Sequence, residues 1–91
     1  MKMDEPKPCE KYLHFKGKEY EIIAIARDCD NKDRKIVVYK QLYKTPELPI
    51  GTVWTRSLDD FVGDKEFKED TTINQRLFKK GDRVKKFILQ P

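Results

Sequence analysis

The sequence predicts a mainly β domain: a small β-barrel, SH3-like in size, of about five strands with a short helical insert. Three observations carry that expectation. Two long runs, 19-EYEIIAIARD-28 and 35-KIVVYKQLY-43, are rich in β-branched and aromatic residues and hold neither Pro nor Gly. The turn-forming cluster 28-DCDNKDR-34 stands between them and makes them a hairpin. The first run is apolar on both faces, so both are expected to be covered over part of their length, as in a closed sheet.

Each element follows in chain order. Residues 1–11, with Pro6 and Pro8 among charges and no periodicity, read as a flexible N-terminal lead. A single domain then spans 12–91, with 63–82 as a polar insert. The stretch 12-YLHF-15 is a short strand, and Gly17 supplies the turn after it. Along 19–28, Tyr20, Ile22, Ala24 and Ala26 fall on one face, and Ile23, Ile25 and Arg27 on the other. Along 35–43, the set Ile36, Val38, Lys40 and Leu42 holds three aliphatics and is expected to face the core. Val37, Tyr39, Gln41 and Tyr43 then face away. Two prolines and a glycine make 44-KTPELPIG-51 an exposed loop. A third strand, 52-TVWTR-56, leads to Ser57, which is placed to cap a helical turn at 58-LDDF-61. Residues 63–70 are mostly charge. In 72-TINQRLFKKG-81, Thr72 and Gln75 have capping-box spacing and Gly81 would follow the last turn, so a short helix is expected. The last strand is 83-RVKKFILQ-90.

Composition bounds the function. The chain has 91 residues, 37% hydrophobic and 40% charged, which is one domain with a small core. The formal net charge is +4 and the signs are interspersed, apart from 79-KKGDRVKK-86 with five cations and one anion. Such a surface can attract nucleic acid or another anion. Cys9 and Cys29 do not make a disulfide framework, and with His14 they lack the paired spacing of a structural zinc site. No metal site and no cofactor are expected. A lone His and a lone Ser, with cysteines outside catalytic motifs, argue against nucleophilic catalysis. Four scattered glycines cannot build a phosphate-cradling loop. The charged start MKMDEPKPCEK lacks the apolar run of a signal peptide, and nothing approaches a membrane span, so a cytoplasmic protein is expected.

In order, 12-YLHFKGKEYEI-22, 24-AIAR-27, 37-VVYKQLY-43 and 53-VWTRSLDDF-61 resemble the DUF1653 family, a domain of unknown function. The Tyr-x-His-Phe-Lys-Gly start is the most specific piece. The resemblance implies a compact β domain and marks His14, Phe15, Gly17, Arg27, Tyr39, Tyr43, Trp54 and Arg56. The chain departs from the family pattern at Asp28, where a His is usual, and at Ser57, where a Pro is usual. The family brings no established activity.

The candidate site rests on aromatic–cation alternation. Tyr39 and Tyr43 share one side of a strand, Arg27 closes the partner strand, and Trp54 and Arg56 alternate onto one face of theirs. A face that mixes rings and cations can stack bases and hold phosphates. The leading expectation is therefore a non-enzymatic binding module for RNA or another polyanion. Tyr39, Tyr43 and Trp54 would stack, Arg27, Arg56 and Lys16 would meet phosphate, and His14 would be a polar edge. A protein-interaction module is the second reading, with the 44–51 loop lining an aromatic groove. A small enzyme acting on a modified nucleotide or minor metabolite is the third.

Overall fold

The hairpin expected from residues 19–43 organises the molecule. The computed structural model describes residues 5–91, so positions 1–4 of the expected lead lie outside the described residues. Strands β1 (Lys11–His14), β2 (Glu19–Asp28), β3 (Asn31–Gln41) and β4 (Val53–Ser57) are followed by helix α1 (Leu58–Phe61). Five short strands follow: β5 (Asp64–Glu66), β6 (Thr71–Ile73), β7 (Arg76–Phe78), β8 (Arg83–Lys85) and β9 (Phe87–Leu89). Five strands form one antiparallel sheet in the order β4-β3-β2-β1-β9; β5 pairs with β8 and β6 with β7 in two small ladders. Among the described residues β4 and β9 are the edges of the main sheet, and no pairing closes it. The domain is thus mainly β with one short helix. No helix among the described residues is long and apolar enough to cross a membrane.

Residues paired across a ladder share a face, so the register places the core. Tyr12, Tyr20, Ile22, Val37, Tyr39 and Phe87 point to one side of the sheet, where Leu58, Phe61 and Val62 cover them. Val37, Ile22 and Phe61 are almost wholly buried. The Phe61 and Phe87 rings stack at 4.1 Å, and Tyr12 and Tyr39 meet Phe61 edge-on at 5.2 and 5.5 Å. Such contacts add about 0.5–1.5 kcal/mol each beyond area burial. The helical turn forms as Ser57 requires: its Oγ accepts the Asp60 backbone N–H at 3.3 Å. At the other end of the chain, Pro6 is buried, the Cys9 N–H reaches the Ile22 carbonyl at 2.9 Å, and Glu5 pairs with Lys35.

Four sequence expectations are corrected. The core face of β3 is Val37, Tyr39 and Gln41, not the Ile36–Val38–Lys40 set. Counting aliphatics misled because the polar groups of the other set are satisfied inside. Gln41, 1% exposed, donates Nε2 to the Tyr43 and Pro49 carbonyls and accepts Trp54 Nε1–H at 2.9 Å. In β2, a bulge between Ile22 and Ala24 shifts the alternation, so Tyr20, Ile22 and Ile25 share the core face and Ala24 turns away. The segment 72–81 is no helix but the β6–β7 hairpin, whose turn residues Asn74 and Gln75 both take left-handed φ, 50° and 66°. Finally, the last strand breaks at Lys86, whose N–H goes to Gly63 while its carbonyl takes the Phe15 N–H. One bent stretch of chain thereby serves two ladders.

The insert has its own small core. Phe67 and Phe78, each 3% exposed, stack at 4.4 Å, and Phe15 meets Phe67 edge-on at 6.0 Å. Asn74 Nδ2 donates to the Lys16 carbonyl at 2.6 Å, tying the β6–β7 turn to the β1–β2 turn. Gly17 is suited to that meeting: its φ is +91°, and a Cβ there would lie 2.6 Å from Asn74 Nδ2.

Candidate functional site

Where the main sheet meets the insert, a cleft of about 460 Å³ opens. One wall is the end of β1 and its turn, with His14, Phe15 and Lys16; the opposite wall is the insert, with Lys65, Phe67, Lys68, Glu69, Thr71 and Ile73. Arg56 of β4 and Lys86 of the bend complete it. Lys16, Lys65 and Lys68 are exposed, while Arg56 and Lys86 are half-buried. Five cations therefore face one acid, Glu69, across a lining that includes two phenylalanine rings.

Arg56 is held on three sides. Its Nε donates to Tyr39 Oη at 3.3 Å, its Nη1 donates to Asp60 Oδ2, and its guanidinium lies 5.3 Å from the centre of the Phe87 ring. Burial opposes its charge, but the bonds to Tyr39 and Asp60 outweigh that and raise its pKa. Lys86 Nζ donates to the other carboxylate oxygen of Asp60. That bond, joined by the Arg56 bond, holds the Asp60 carboxyl below the usual range against a smaller opposing effect of burial. Helix α1, capped by Ser57, thus positions one carboxylate behind two cations that line the cleft.

His14 is packed among rings, 4.3 Å from Phe15 and 4.9 Å from Phe87. Its Nδ1 accepts the Lys16 backbone N–H at 3.1 Å, which leaves the proton on Nε2. Burial first, then the charges of Arg56, Lys16 and Lys86, lower its pKa from 6.5 to about 4. It stands in the cleft as a neutral hydrogen-bond donor.

Of the residues expected from sequence, the fold brings together His14, Lys16 and Arg56. The others go elsewhere. Arg27 lies toward the far end of the β2–β3 hairpin, donating to the Lys32 carbonyl at 2.8 Å. Tyr39 is 5% exposed and reaches the site only through its bond to Arg56, so it offers no stacking face. Tyr43 shares a 2.5 Å hydroxyl–hydroxyl bond with Tyr20, whose pKa is raised by burial and by that bond, and Lys18 lies 5.2 Å over the Tyr43 ring. Trp54, 41% exposed, faces the same side of the sheet as Tyr39 but is anchored to Gln41, away from the cleft lining. Sequence reasoning missed Phe15 as a lining ring, Asp60 as organiser, and Lys65, Phe67 and Lys68. Only the basic run 79–86 hinted at Lys86, and the charge-rich insert gave no periodic signal. Both cysteines are exposed. Among the described residues, Asp28, Cys29 and Asp30 bring ligand atoms within 4.8 Å of one another on the β2–β3 turn, without His14.

A family model, Protein of unknown function (DUF1653), matches residues 10–79, which include every residue of the cleft except Lys86. No curated protein and no solved structure matches the chain.

Proposed function

The chain belongs to the DUF1653 family, and because that membership names no activity, we propose from the cleft itself a non-enzymatic binding module for RNA or a similar polyanion. The observation that carries this reading is the clustering of five cations, two of them fixed by Asp60, around a ring-lined cleft that holds one acid. Single-strand binders join cationic grooves to aromatic platforms in this way. Phosphate would meet Arg56, Lys86 and Lys16, and a base would lie against Phe15, with His14 Nε2–H as the polar edge. The SH3-like likeness remains part of the proposal: a strand bent at Lys86 to serve two ladders is how small, partly open barrels turn a corner. So does a cytoplasmic setting, where such a ligand is found.

The test is a titration of the protein with a short single-stranded RNA at two salt concentrations. Phosphate held by Arg56, Lys86 and Lys16 predicts an affinity that falls severalfold for about a fourfold rise in salt. The double variant Lys65→Met, Lys68→Met, changing two exposed side chains, should bind more weakly with the fold intact by circular dichroism. Absence of binding, or binding indifferent to salt, would overturn the reading. Indifference to salt would favour the second reading, a protein partner, to which exposed Ile23, Val53 and Ile88 on the sheet's outer face lend support.

A further inference from the structure

We propose that the cleft recognises a terminal phosphomonoester carried on a single nucleoside, either the phosphorylated end of an RNA or a free nucleoside monophosphate, and not the internal phosphodiesters of a running strand. This rests on the polyanion-binding reading and narrows it to one chemical group.

Three observations lead there. The first is size. About 460 Å³ falls in the range of small-ligand sites and suits one nucleotide. The Asn74–Lys16 bond fixes the insert against the β1–β2 turn, so the insert wall is tied in place.

The second is the absence of a track of stacking platforms leading away. A strand that runs across a surface needs successive rings. Tyr39 is buried, Tyr43 is bonded to Tyr20, Trp54 is bonded to Gln41, and none of the three lines the cleft. Phe67 lies under Phe78, which leaves Phe15 as the ring offered to a base.

The third is the arrangement of charge. Phosphodiesters are monoanions spaced along a strand and call for cations in a row. A terminal phosphate carries about −1.5 to −2 at neutral pH, concentrated on one phosphorus, and calls for cations that converge. Arg56 and Lys86 converge: each donates to an oxygen of the same Asp60 carboxylate, and both line the cleft. Arg56 uses Nε and Nη1 for Tyr39 and Asp60, and its Nη2 has no protein partner among the described residues. That nitrogen is a fixed donor for a phosphate oxygen. Asp60 offsets part of the charge of this pair, and the net positive charge that the lining keeps attracts a dianion about twice as strongly as a monoanion at the same place. His14 adds a neutral donor beside them, and Lys16, Lys65 and Lys68 surround the mouth.

The experiment compares one short RNA sequence in three forms, with a 5′-phosphate, a 3′-phosphate or hydroxyl ends. Alongside it, a nucleoside monophosphate is compared with its cyclic diester. A phosphorylated end should bind about tenfold more tightly than hydroxyl ends, and the monophosphate about tenfold more tightly than the cyclic diester. Lys86→Gln should erase that preference, while Lys44→Gln, on the distant loop, should keep it. Equal affinity for all three RNA forms, with the monophosphate no better than its cyclic diester, would overturn this inference and leave RNA binding standing. Equal affinity for the RNA forms, with the free monophosphate still preferred over its cyclic diester, would support the phosphomonoester site and overturn RNA as its source. A preference that survives Lys86→Gln would overturn the role given to the Arg56–Lys86 pair. No binding of any form would overturn both this inference and the reading beneath it.

Discussion

Acid should weaken this fold through His14. In the folded chain its ring is neutral: Nδ1 accepts the Lys16 N–H at 3.1 Å, and burial together with Arg56, Lys16 and Lys86 lowers its pKa from 6.5 to about 4. The unfolded chain takes up this proton near 6.5, the folded chain only near 4, so between these values the unfolded state binds more protons. The stability contributed by a neutral His14 is therefore complete above about pH 6.5 and is lost as the pH falls toward about 4. A drop of that size is worth at most about 3–4 kcal/mol, at about 1.4 kcal/mol per pH unit. The ring is only half-buried, so solvent screening reduces this to about 1–2 kcal/mol. That is a sizeable share of the roughly 5–15 kcal/mol that holds a domain together. The assay is urea unfolding at about pH 7.5 and about pH 5, beside His14→Gln, whose amide oxygen can accept the same backbone N–H without titrating. Wild type should lose stability across this interval and the variant should not. An NMR titration of the sole imidazole should show a midpoint near 4. A midpoint near 6.5, or an equal acid loss in His14→Gln, would refute the reasoning.

Two further outcomes are expected. Gln41→Leu leaves Trp54 Nε1–H and the Tyr43 and Pro49 carbonyls without their partner. Stability should fall by about 2–3 kcal/mol, and native Trp54 emission should change; a loss below about 0.5 kcal/mol would show that Gln41 does not anchor the 42–52 segment. Gln75→Gly should stabilise the protein by about 0.5–1 kcal/mol, because Gln75 holds φ at 66° after Asn74 at 50°, and Asn-Gly is the preferred pair for such a turn. The melting temperature reads this directly, and a decrease would contradict the left-handed turn.

Local chemistry was legible where it acted alone. Strand β2 runs from Glu19 to Asp28 as its composition predicted, and Ser57 caps Leu58–Phe61 as its position predicted. It misled where two local rules competed. Thr72 and Gln75 have capping-box spacing, yet Asn74-Gln75 also makes a two-residue turn, and the stacking of Phe67 on Phe78 favours the hairpin. The face of β3 was misread because its polar members find partners only after folding: Gln41 in Trp54 and the following loop, Tyr39 in Arg56. The same limit applied to the candidate site. Alternation along β1 and β4 pointed to His14 and Arg56, which the cleft keeps. Its other wall comes from a charged segment without periodicity, and its organiser, Asp60, acquires meaning only when Lys86 is folded back beside it.

The bulge in β2 has an implication for how this chain tolerates changes of length. Ile23 is the surplus residue between the pairs Ile22–Tyr39 and Ala24–Val38. Removing it would restore strict alternation and leave Ile22 and Ile25 on the faces they already occupy. Loss of Ala24 would be absorbed in the same way, with Ile23 moving into the pair with Val38. The β2–β3 hairpin thus has one residue of slack at this point, and relatives one residue shorter there would be expected to keep the same fold.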